Sequence, residues 1–186
     1  MIPTISDIVE KACLQDANRF GYGIWKYHIV NVVAFAKELA AKTGADTEIV
    51  ELAALLHDYA SIKDFSQYEE HHIHGAREAE ALLANLGYPE EKIRQVQYCI
   101  YCHRGSVPVE KATKEAICVA DADSMSHFAA IPSLYYLAFQ KKGMGVEEAN
   151  AWITAKLARS WKKLSPQGKD AIKEEYEAFK LLLGCK

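Results

Sequence analysis

This sequence lacks the long apolar runs, the one-sided charge and the paired cysteines that would each announce a class of protein. No segment approaches the roughly 18 uninterrupted apolar residues of a membrane helix, and the first twenty residues carry acids and no apolar stretch of signal type. A membrane role is therefore not expected, and a cytoplasmic location is. Net charge is only −3, with both signs interspersed, so there is no electrostatic footprint for wrapping long nucleic acid, although a local basic patch could hold a phosphorylated small molecule. The five cysteines (Cys13, Cys99, Cys102, Cys118 and Cys185) are an odd number without an export signal, which points to free thiols. Cys99-Ile100-Tyr101-Cys102-His103 has the spacing of covalent haem attachment, but that chemistry belongs to exported chains, and a lone C-x-x-C is no structural zinc site. Strand patterns, internal repeats, low-complexity tracts and long linkers are also missing.

What is present is helix. Apolar residues recur at helical spacing over 5–18, 27–42, 47–59, 70–86, 89–103, 113–127, 133–141, 146–163 and 166–183. Gly44 and Gly87 fall where helices end, and Ser165-Pro166 reads as a cap followed by proline at the first helical position. The stretch from Gly105 to Ala112, with Pro108, is the most irregular and is expected to border a pocket. With 186 residues, half of them hydrophobic, the expectation is one all-α, non-bundle domain spanning 1–186. The helices over 133–183, with Trp152 and Trp161, should complete its core; a dimer face is their alternative use.

Polar chemistry interrupts this apolar pattern at a few places. His57 and Asp58 close the run Glu51 to Ala60, beside Leu52, Ala53, Leu55 and Leu56, where both groups would lose solvation unless a partner satisfied them. A single such pair is usually a hydrogen-bonded helix end. His28, however, lies in line with Val32, Phe35 and Leu39, and His103 ends the stripe of Ile93, Val96 and Ile100, so both point inward. The segment from Ala116 to Met125 is apolar nearly all round apart from Asp121 and Asp123, and carboxylates there want a cation or several donors. Convergence on a metal explains these residues together more economically than separate structural accidents do.

The order His28, His57-Asp58, then the distal acid of Val119-Ala120-Asp121-Ala122-Asp123-Ser124-Met125 resembles the HD superfamily of metal-dependent phosphohydrolases, whose signature is H…HD…D. The resemblance runs over 27–127 and is specific for the superfamily, not for a substrate. It implies one divalent metal (Mn, Fe, Co, Ni, Mg or Zn) held by His28, His57, Asp58 and Asp123, with Asp121 as the alternative to Asp123. It also implies a second metal in some members, bridged by Asp58 and bound here by His71 and His103. His72 is the alternative to His71, His74 is expected at the surface, and His127 is expected behind Asp123 or at an ordinary helix end. The frequent H-D-I-G continuation is replaced by His57-Asp58-Tyr59-Ala60, which leaves the subfamily open. Gly87-Tyr88-Pro89 precedes His103 instead of following a His-His-Glu element, which excludes the cyclic-dinucleotide branch.

The function so implied is hydrolysis of a phosphate ester or anhydride of a small molecule, above all a nucleotide, by a small stand-alone enzyme. Asp58 is the expected catalytic carboxylate, and Arg104 and Lys63 are the expected phosphate contacts. Two alternatives remain: a non-catalytic metal- or nucleotide-binding module, and a diiron oxygenase on the same fold.

Overall fold

The central helix of the molecule, α3 (Thr47–Leu56), is apolar from Leu52 onward, and Ile49, Val50 and every residue from Leu52 to Leu56 are buried. A helix end without a wet face must be surrounded. In the computed structural model, which describes residues 1–104 and 109–183, α3 packs against α1 (Ile2–Cys13), α2 (Val30–Thr43), α6 (Glu90–His103) and α7 (Lys114–Ala129). Between these lie α4 (Tyr59–Lys63), a 3-10 turn Phe65–Glu70 and α5 (His71–Asn85); beyond them follow α8 (Ile131–Tyr136), α9 (Val146–Lys163), α10 (Pro166–Ala171) and α11 (Lys173–Leu182). Among the described residues there is no strand, and no helix is long and apolar enough to cross a membrane.

Local chemistry sets most boundaries. Gly44 ends α2 in the left-handed conformation at φ 71°, its N–H donating to the Ala40 carbonyl, and Asp46 then caps α3 by accepting from the Glu48 and Ile49 amides. Several sequence-based spans are corrected. The helix expected over 47–59 stops at Leu56, and Asp58 (φ −105°, ψ 2°) sits in the break before α4. A π-helical turn, Trp25–Ile29, leads into α2, and the span 166–183 breaks at Ile172 (φ −125°, ψ 29°). Residues 105–108, part of the expected pocket border, lie outside the described residues.

The C-terminal helices pack on the same apolar cluster as α2 and α3, through Ile153, Leu157, Leu164, Ile172 and Phe179. Trp161 stacks on Tyr176 with ring centroids 3.7 Å apart, and Phe128 of α7 meets both Tyr176 and Phe179 edge-on. A buried polar strap adds direction to this packing. Asp121 on α7 accepts from the Ser165 amide (3.0 Å) and from its hydroxyl, and Ser165 in turn caps α10 by accepting from the Gly168 amide. Gly168 has no Cβ to obstruct this approach; one placed there would lie 2.6 Å from Asp121 Oδ2.

Gly75 performs the same service on the other side, where α5 crosses the end of α3. A Cβ at this position would stand 3.1 Å from the His57 carbonyl oxygen and 3.2 Å from Ile100 Cγ2. Gly75→Val is expected to lower stability by about 1–3 kcal/mol through overpacking, measured by urea unfolding, whereas Gly87→Ala is strained only by its φ of 70° and meets no neighbour.

Candidate metal centre

Near a helix end a side chain can turn back on the carbonyl three residues before it, and three histidines in this chain do so. His57, just past the end of α3, has Nδ1 2.8 Å from the Ala54 carbonyl oxygen; His71, at the close of the 3-10 turn, has Nδ1 2.7 Å from that of Tyr68; His103, last in α6, has Nδ1 2.5 Å from that of Ile100. A carbonyl only accepts, so in all three rings Nδ1 carries the hydrogen and donates. The fourth ring, His28, sits in the π-helical turn with Nδ1 2.9 Å from Ser126 Oγ. The Ser126 hydroxyl proton goes to the Asp123 carbonyl at 2.7 Å, so here too the imidazole is the donor. Every Nε2 is thereby left to face inward.

The four Nε2 atoms meet in pairs. His28 and His57 approach to 3.0 Å, as do His71 and His103. Asp58 stands between the pairs: Oδ2 is 3.3 Å and 3.5 Å from the Nε2 atoms of His28 and His57, while Oδ1 is 3.6 Å from that of His71. Asp123 Oδ1 closes the first pair at 3.5 Å from His28 and 4.0 Å from His57. Two neutral imidazoles whose Nδ1 atoms already donate present lone pair to lone pair at 3.0 Å, an arrangement that is repulsive unless a cation lies between them. The donor set, imidazole nitrogen plus carboxylate oxygen, suits a first-row divalent metal. Three groupings bring their ligand atoms within 4.8 Å of one another: His28 with His57 and Asp58, Asp58 with His71 and His103, and His28 with Asp123 and His127.

The electrostatics carry the same demand. Burial alone would suppress a charge on His57, yet the Asp58 and Asp123 carboxylates outweigh it and raise its pKa to about 9. Burial would raise Asp58, but His57, His28 and His71 hold it well below the carboxylate range; Asp123 is lowered by His127, His28 and His57 in the same way. Burial then decides for His103, pushed down to about 3 with help from the charge on His57. The surrounding groups thus favour a positive charge on His57 and a neutral His103.

All six residues that the sequence resemblance named for the two metals are therefore brought together. Asp121 is not among them: its carboxylate is turned to Ser165, and burial raises its pKa. Among the described residues His72, buried against Tyr101, has no partner for Nδ1 and lies outside the groupings. His74 lies near Glu70 at the surface, and His127 stands 4.0 Å from Asp123 Oδ1, stacked on His28. Arg104 reaches Glu69 at 3.5 Å. Lys63 is bound to Glu78 at 2.7 Å and borders a cavity of about 480 Å³ with Arg19, Asp64 and Phe65, none of them a residue of the centre. The sequence reading missed Ser126, which orients His28, and Ser160, whose Oγ is 3.0 Å from His127 Nδ1. No local pattern marks either, because their partners lie 98 and 33 residues away.

Comparison with known proteins finds the same fold elsewhere. Bacillus subtilis YpgQ in complex with ADP superposes with a TM-score of 0.68 at 22% identity, covering 95% of this chain and 92% of that one. A second structure of B. subtilis YpgQ matches with a TM-score of 0.68 at 21% identity over 97% and 95% of the two chains. A predicted HD superfamily hydrolase from an uncultured Thermotogales bacterium matches with a TM-score of 0.56 at 22% identity over 84% of each. The HD domain family model matches residues 25–127, from the π-helical turn that carries His28 to His127. That span is more than half of the chain and contains the whole histidine and aspartate cluster, so the protein belongs to the HD domain family.

Proposed function

We propose that the chain is a metal-dependent phosphohydrolase that cleaves a phosphate ester or anhydride of a small molecule, a nucleotide in the first place. The observation that carries the reading is the position of Asp58, whose two carboxylate oxygens face two separate pairs of inward-turned imidazole nitrogens. ADP in the similar B. subtilis structure supports a nucleotide as the ligand. His28, His57, Asp58 and Asp123 would hold one divalent ion, and Asp58, His71 and His103 a second. Such ions supply Lewis acidity toward phosphoryl oxygens and acidify water.

The chain's own residues do the rest. Asp58, ionised and fixed between the two pairs, is the acceptor that orients the attacking water in line with the phosphorus. Ser126 and the carbonyls of Ala54, Tyr68 and Ile100 keep the four rings in one tautomer, so no reorganisation is needed as charge develops. Arg104, next to His103 and 3.5 Å from Glu69, would contact phosphate oxygens; Lys63 is engaged by Glu78 and is not assigned that role.

The test is metal analysis of protein purified without chelator, followed by turnover of nucleotides and phosphomonoesters with manganese, iron, cobalt or nickel. Asp58→Ala should lose both metal content and activity, and His71→Ala should lose the second equivalent only. Normal turnover by a metal-free Asp58→Ala protein would overturn the reading, and oxygen-dependent turnover with two irons would favour an oxygenase. Asp121→Ala should keep its metal while losing about 1–3 kcal/mol of stability, from the hydroxyl and amide left unpaired.

Proton and metal compete for His57, whose folded pKa of about 9 lies above its ordinary value of 6.5. Apparent metal affinity should therefore rise by about tenfold per pH unit up to pH ~9 and level off above it. In the metal-free protein the sign is opposite: the stability that protonated His57 contributes is complete below pH 6.5 and is lost as pH rises through about 9. Calorimetric titrations and thermal unfolding at stepped pH read the two trends.

A further inference from the structure

The hydrogen bond between His127 and Ser160 does more than tie α9 to α7. It fixes which face of α9 looks at the centre, because His127 itself stands 4.0 Å from Asp123 and stacks on His28. Lys156 lies four residues before Ser160 and Lys163 three after it, so both share that face, one turn to either side. Lys156 is half-buried; Lys163 is exposed.

Neither lysine has the carboxylate partner that five other lysines of this protein have. Lys37, Lys42, Lys63, Lys92 and Lys180 each reach a carboxylate. Among the described residues, no carboxylate oxygen lies within 4.0 Å of the Lys156 or Lys163 ammonium, and neither takes part in a hydrogen bond. Partial loss of surrounding water lowers the pKa of both, more completely at Lys156 than at the exposed Lys163, and Asp123 is the strongest opposing attraction on each. Arg159, on the same helix, adds further repulsion to both. Cations bound at the centre would cancel the attraction that Asp123 and Asp58 exert on Lys156 and Asp123 on Lys163. A helix face that keeps like charges together beside such a centre is complementary to an anion supplied from outside.

The spacing describes that anion. Seven residues of helix separate the two lysines by roughly 10 Å along the axis, more than one phosphate group spans. We propose that Lys156 and Lys163 form a phosphate-chain site, with Lys156 holding the phosphate next to the one attacked and Lys163 a more distal one. The site selects phosphoanhydrides over monoesters. The inference rests on the reading of the centre as a phosphohydrolase, but it makes a binding prediction that needs no turnover.

The experiment is calorimetric titration of inorganic tripolyphosphate and inorganic phosphate into the whole chain, manganese-loaded and metal-stripped, at low salt. Lys156→Gln should weaken tripolyphosphate binding by about tenfold or more, the scale of one charged hydrogen bond, and Lys156→Arg should restore most of it. Lys163→Gln should weaken tripolyphosphate and leave inorganic phosphate unchanged. Lys162→Gln, two residues past Ser160 and exposed, should stay within about twofold of wild type. Wild-type affinity for tripolyphosphate in Lys156→Gln, at unchanged manganese content and unfolding midpoint, overturns the proposal. Lys163 is exposed and its substitution disturbs no packing, so wild-type affinity in Lys163→Gln overturns it as well. Lysine-dependent binding without turnover by any metal form would remove the hydrolase reading and leave the anion site standing; turnover of anhydrides unaffected by either substitution would do the reverse.

Discussion

Everything at the centre depends on the carbonyls at helix ends. A carbonyl can only accept, so an imidazole placed against one must give up its Nδ1 hydrogen and turn its Nε2 lone pair the other way. Three helical segments end at the same place in this fold, and each contributes such a ring through His57, His71 and His103. The result is a set of electron pairs crowded at 3.0 Å with two carboxylates beside them. Positive charge between the rings relieves that crowding, and the Asp58 and Asp123 carboxylates that raise the pKa of His57 favour the same charge.

The fold is arranged so that these ends can meet. The second half of α3 is apolar all round and therefore central, and its termination at Leu56 brings His57 and Asp58 into the middle of the molecule instead of its surface. Gly75 lets α5 cross against the His57 carbonyl, and the small residues of α7 (Ala116, Ala120, Ala122, Ser124 and Ser126) let neighbouring helices come close from both sides. Asp121 and Asp123 show how sharply such a helix can divide its labour. Two residues apart, one fastens α10 through Ser165 and the other faces His28.

Much of this was legible in the sequence, for reasons that can be named. His28 and His103 each continue an apolar stripe at helical spacing, and periodicity of that kind reports direction toward the core. The acids on α7 have no wet face, which marks both as requiring partners but cannot say which partner each finds; only the position of Ser165 separates Asp121 from Asp123. His71 and His72 adjoin the same stripe, and the choice between them is made by the 3-10 turn that presents the Tyr68 carbonyl to His71. Lys63 reads as a phosphate contact from its distance along the chain to Asp58, whereas in space Glu78 takes it. Ser126, Ser160, Lys156 and Lys163 carry no local signature, because what gives each its role is a neighbour on a different helix.

The hydrogen bonds that hold His57, His71 and His103 are each made to the ring's own chain, three residues back. Ring orientation is therefore inherited from one turn of local backbone and needs no distant residue to maintain it. A substitution elsewhere in the molecule can move a whole helix end, but it cannot easily spin an imidazole out of alignment. Evolution can then redesign the entrance, the surrounding loops and the C-terminal helices while each of these donors travels as a self-contained mount, and a single constellation can outlast wide divergence in the sequence around it.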